Sequence, residues 1–129
     1  MTNWTHKSTD GLEDLAPGHG LDEIQEFRRG TEAVGSGQIG FSRQLIKSGR
    51  RQPFGHMHAE HEEIVFVITG GGRVKLDDEI VDVRPHDVIR VGTGVTRAME
   101  ADAQGLEVLI FGPVGNDEGT ETIQGWWGG

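Results

Sequence analysis

From Ile24 onward the apolar residues of this chain come in short runs, broken at short intervals by glycines, a proline or paired aspartates. No stretch carries the i, i+3, i+4, i+7 stripe of an amphipathic helix, so the pattern permits short strands joined by tight turns. The runs predict strands at Glu23–Arg28, Gln38–Ile46, Gly55–Ala59, Glu62–Thr69, Arg73–Leu76, Glu79–Val83, Asp87–Val91, Val95–Ala101 and Gly105–Gly112. Gly70-Gly71-Gly72, Asp77-Asp78 and Arg84-Pro85-His86-Asp87 read as the turns between neighbouring antiparallel strands. A content of 21 glycines against four prolines suits such a chain, because glycine supplies the positive φ that tight turns require. The fold class is therefore all-β. Within Glu62–Ile68 both alternating faces are apolar, which predicts a strand covered on both sides.

The 129 residues suffice for one domain with a real core. Residues 1–22 are polar and turn-rich and read as an irregular N-terminal arm. Residues 23–114 hold the strands of the barrel, and residues 115–129 form a tail whose Trp126-Trp127 pair is expected to pack on the barrel or on a partner. The doubly apolar strand and this tail together lead us to expect a homodimer. The N-terminus lacks an apolar targeting core, and the longest clean apolar run, Ile64–Ile68, is far too short to cross a bilayer, so a cytoplasmic protein without membrane contact is expected. The net charge is −9, with no Lys or Arg after Arg97, and such a surface repels phosphate backbones, which argues against nucleic acid as a partner. The basic stretch Arg43, Lys47, Arg50 and Arg51 reads as a solvated rim or, alternatively, as a lip drawing small anions to the barrel mouth.

Chemistry concentrates at His56-Met57-His58. One intervening residue in a strand projects both imidazoles from the same face, where they can share an ion. Glu63 follows after four residues and Gly70 after six more. Two imidazoles and a carboxylate form the facial triad that suits Fe(II) and related divalent ions while leaving coordination positions open. With no cysteine in the chain, any metal site must use His, Asp or Glu. His61 is a further candidate nitrogen, though its place in the turn before Glu63 favours a surface loop residue. His86, His6 and His19 read as structural.

The run His56, His58, Glu63, Gly70 resembles the first motif of the cupin superfamily, with Gly49 one position further upstream than that motif's glycine. Taken with the strand pattern over residues 35–112, the resemblance implies a double-stranded β-helix, or jelly-roll, barrel in which His56, His58 and Glu63 are metal ligands. The superfamily's second motif, laid over residues 86–101, retains only Gly94, and Arg97 stands where its ligand histidine is expected. A guanidinium only donates hydrogen bonds and cannot ligate a metal. Three readings of Arg97 follow: it grips the carboxylate or phosphate of a ligand beside a three-ligand metal, it pairs with Glu63 in a metal-free site, or it points away.

Two functions fit these residues. One is an enzyme holding a divalent transition ion (Fe, Mn, Ni or Zn) on His56, His58 and Glu63, with Arg97, Arg43 and His61 as ligand-binding residues for a small anionic molecule; oxygenase, isomerase and decarboxylase chemistry all suit it. The other is a metal-free, non-enzymatic barrel that binds a small ligand. The chain contains no G-x-S-x-G, Walker A, H-E-x-x-H or strand-borne G-x-G-x-x-G motif.

Overall fold

The computed structural model describes residues 3–115 and 119–128. Two single 3-10 turns, Thr9–Gly11 and Pro17–His19, precede eight strands: β1 (Gln25–Arg29), β2 (Ile39–Ile46), β3 (Phe54–His58), β4 (Glu63–Leu76), β5 (Glu79–Val83), β6 (Val88–Val91), β7 (Arg97–Pro113) and β8 (Thr120–Gln124). No helix among the described residues is long and apolar enough to cross a membrane.

All strand pairings are antiparallel and belong to one curled sheet. The 17-residue β7 organises it. Its N-terminal part runs beside the far end of β4, where Leu76 faces Arg97, and its C-terminal part lies between β2 and the near end of β4. One strand thus serves both ends of the barrel. The order β1-β2-β7-β3-β8 continues along one side, and β5 and β6 line the other side of β4. Inside lies a core of Ile46, Val65, Val67, Val74, Val83, Val91, Met99, Ala101, Leu106 and Val108, rich in the β-branched residues that pack well on a pleated surface.

The turn expected at Gly70-Gly71-Gly72 does not form. The predicted strands Glu62–Thr69 and Arg73–Leu76 are one strand, β4, and Val95–Ala101 and Gly105–Gly112 likewise merge into β7. The glycines serve the crossing of these two strands. A Cβ on Gly70 would run into the Gly105 carbonyl, and one on Gly72 into the Glu100 carbonyl. Gly70 and Gly105 both take φ near +79°, and the register slips between Val67 and Thr69 and again between Gly70 and Gly72. Bulges of this kind bend a strand without ending it, and a bent β4–β7 pair turns the sheet's corner.

The Asp77-Asp78 turn does form, with Asp77 at φ 52° and its carboxylate accepting from the Thr96 amide at 3.0 Å. The arm is tied to the barrel edge. Asp14 Oδ1 accepts the Phe27 amide at 2.9 Å, Leu15 N–H donates to the Phe27 carbonyl at 2.7 Å, and Ala16 is buried. Residues 116–118 of the expected tail lie outside the described residues; β8 and the two tryptophans beyond it pack on β3.

Candidate metal site

β3 is a short strand with the alternation that a paired site needs. Gly55 is buried, and a side chain there would strike the Trp126 indole. His56 and His58 both point inward, their rings edge to face with centroids 5.2 Å apart. Glu63 opens β4 on the same face as the core residues Val65 and Val67, which brings its carboxylate to the histidines. His58 Nε2 lies 3.7 Å from Glu63 Oε2, and one ligand atom from each of His56, His58 and Glu63 falls within 4.8 Å of the others. Among the described residues this is the one group of three or more such side chains that can hold an ion.

The two imidazoles are prepared differently. Burial, with the adjoining Arg97 and then His58, pushes the His56 pKa down to about 3, so its ring is neutral at ordinary pH and keeps a lone pair for a metal. His58 is held by its other nitrogen: Nδ1 lies 2.9 Å from Thr120 Oγ1 on β8. A partner on Nδ1 fixes the ring's direction and leaves Nε2 turned toward Glu63. His61 was expected in an exposed loop. It is half-buried instead, and its ring stacks on His58 with centroids 4.3 Å apart.

Arg97, the first residue of β7, faces His56 directly in the β3–β7 register. Only 5% of it is exposed. One guanidinium nitrogen donates to Glu63 Oε1 and another to the Val95 carbonyl at 3.3 Å. Burial weakens the guanidinium's hold on its proton, and the Glu63 carboxylate opposes that effect. The reading in which Arg97 points away is therefore excluded. The residue standing in the fourth ligand's position is turned into the site and bonded to one of its carboxylate oxygens.

Arg43 takes another place. On β2 it shares a face with Phe41 and Leu45, whereas Ser42, Gln44 and Ile46 on the other face are the buried, inward residues. Its guanidinium bonds Glu107 at 2.8 and 3.0 Å, Thr9 at 3.0 Å, and Asp10. Arg43 thus clamps the arm to the outer face, on the side of β2 away from the histidines. What sequence reading missed is the other side of that strand. Ser42 and Gln44 are buried polar residues, with Gln44 Nε2 donating to Ser42 Oγ at 3.2 Å, on the same inner face as Glu63. The inverted alternation of β2, apolar outward and polar inward, was the available signal.

The donor set fits a divalent ion in kind: a neutral imidazole, a second imidazole oriented by its other nitrogen, and a carboxylate, all within reach of one centre. What does not favour an ion is the buried Arg97 cation at the same carboxylate.

No protein-family profile and no curated protein matches the chain. Solved structures do. A cupin protein from Bacteroides fragilis superposes with a TM-score of 0.68 at 18% identity, over 92% of this chain and 89% of that one. The polyketide cyclase RemF from Streptomyces resistomycificus gives a TM-score of 0.75 at 14% identity, over 96% and 85%. Oxalate decarboxylase from Bacillus subtilis gives 0.72 at 22% identity over 92% of this chain, which spans only 31% of that longer one. The curled antiparallel sheet of this chain is therefore a jelly-roll barrel, and the fold is that of the cupins. Within that fold the chain carries a His56, His58, Glu63 group that can bind a metal, with Arg97 as the fourth residue of the cluster.

Proposed function

We propose that this protein binds one divalent transition ion, Fe, Mn, Ni or Zn, in the barrel lumen through His56, His58 and Glu63, and uses that site on a small anionic metabolite. The observation that carries this reading is the convergence of three ligand atoms within 4.8 Å around an imidazole held neutral. A metal there supplies Lewis acidity and open coordination positions. The protein supplies the rest: Arg97 as a fixed cation for a carboxylate or phosphate, and Ser42 and Gln44 as hydrogen-bonding groups on the inner wall. The names of two structural neighbours, an oxalate decarboxylase and a sugar phosphate isomerase, concern small anions of this kind.

The test is metal analysis of tag-free protein by mass spectrometry, beside a His56→Ala, His58→Ala double variant. Near-stoichiometric metal that disappears in the double variant supports the reading. Metal-free protein that also ignores added Fe(II), Mn(II), Ni(II) and Zn(II) sinks it. The Arg97–Glu63 ion pair favours a second reading, a metal-free barrel in which Arg97 alone receives the anionic ligand, and that same outcome would leave it standing. We also propose a cytoplasmic homodimer, joined through the outer apolar face of β2, β4 and β7.

A further inference from the structure

We infer that the metal and a small anion bind this lumen cooperatively, each strengthening the other, because Arg97 and the metal contend for Glu63 and only an anion relieves that contest. The inference rests on the metal-site reading above and adds to it the sign of the coupling.

Glu63 is the one carboxylate paired with Arg97 among the described residues. Oε1 accepts from the guanidinium while Oε2 faces His58. A divalent ion has two ways to reach this carboxylate. It can displace Arg97, which strands a guanidinium that is 5% exposed with only the Val95 carbonyl to receive it. Or it can share the carboxylate with Arg97, which would hold a dication and a monocation on one largely buried group. Both routes are opposed by like charge or by an unpaired buried cation, and both penalties are large where the dielectric is low. An anion seated on Arg97 removes either penalty. It gives the displaced guanidinium a bidentate partner, or it neutralises the charge facing the metal.

The ligand class follows from the same geometry. It is a small carboxylate or phosphate, able to receive a guanidinium fork within reach of His56, since Arg97 and His56 are direct cross-strand partners. Linkage makes the effect reciprocal: the factor by which the anion tightens the metal is the factor by which the metal tightens the anion.

The experiment titrates Mn(II) into full-length, tag-free protein, counts free ion by electron paramagnetic resonance, and repeats the titration in sodium acetate at constant ionic strength. For the natural sequence, acetate should tighten Mn(II) by about tenfold, within the range usual for coupled sites. For Arg97→Gln, whose amide can still donate to Glu63, Mn(II) should bind more tightly than to the natural protein before any acetate is added, and acetate should then have no effect. If Mn(II) binds the natural protein but acetate changes nothing, or if the same acetate factor persists in Arg97→Gln, the coupling is overturned while the metal site stands. If neither protein binds Mn(II) with or without acetate, the metal-site reading itself fails. A metal-free arm guards against a poorly folded Arg97→Gln. In Glu63→Gln the guanidinium loses its carboxylate, so acetate, followed by proton NMR line broadening, should bind this variant more tightly than the natural protein. Equal binding overturns the inference.

Discussion

Thr120 is 62 residues from His58 in sequence, yet its hydroxyl sits at 2.9 Å from His58 Nδ1. Such outer partners set ligand orientation, and losing one typically lowers metal affinity by about tenfold or more. Thr120→Val should therefore weaken Mn(II) or Zn(II) binding by about that factor with little change in thermal stability, and Thr120→Ser should restore it; isothermal titration reads both. His56 gives a second expectation. Its folded pKa of about 3 lies below the unfolded value near 6.5, so between those values the unfolded chain binds a proton that the folded chain refuses. Stability of the metal-free protein is full above about pH 6.5 and falls as the pH drops towards 3, by roughly 1 kcal/mol per pH unit. Urea midpoints at pH 7 and pH 5 in the presence of a chelator should show that loss, and His56→Gln should flatten it. The two histidines were legible because one intervening residue in a strand puts them on one face, and Glu63 joined them through the likeness of the run to a known motif. The place of Arg43 was harder to read, because the alternation of β2 shows two faces and only the folded barrel shows that the one with Ser42 and Gln44 turns inward.

At the scale of elements, the glycines mark where sequence and structure part. A run of three glycines has the composition of a hairpin, and local chemistry cannot distinguish a turn from a place where another backbone comes too close for any side chain. The difference lies in a partner, Glu100 to Gly105, that is distant in sequence. Gly72→Ala is the direct test. Its Cβ would meet the Glu100 carbonyl and the Ala101 backbone, neither of which can swing aside as a side chain can. We expect a loss of about 3 kcal/mol, seen as a Tm lower by about 10 °C in calorimetry. A hairpin glycine would tolerate the change far better. Most strand positions were readable to within two residues, since alternation and turn residues bracket them. β8 was not: its residues are exposed and largely polar, so only the flanking Gly119 and Gly125, at φ 77° and 66°, announced it. Its tryptophans finish the edge. Trp127 donates to the Gln52 carbonyl at 2.7 Å and lies beneath Arg51 at 4.6 Å, while Lys75 sits 4.3 Å from the Trp126 ring.

For the whole molecule, the packing of Trp126 and Trp127 on the barrel moves the case for self-association to the other side. There Phe41 and Phe111 stack with centroids 6.2 Å apart and, with Ile68 and Leu109, line a groove beside Arg43 and Glu107. Light scattering should report about twice the 14.1 kDa chain mass, and Phe111→Glu, which places a charge in the centre of that face, should return the monomer mass with an unchanged circular dichroism spectrum. A monomer for the natural protein would refute the pairing.

The ion pair at the lumen bears on how such a protein lives with its metal supply. Many small metal-binding domains are unfolded until their ion arrives, because ligands gathered without it repel one another or remain unpaired. Here the guanidinium of Arg97 already neutralises the one acidic ligand, and the adjoining His56 is uncharged. The barrel therefore encloses a charge-paired interior without an ion. On the metal-site reading proposed above, loading would then be an exchange of counter-ions inside a finished structure.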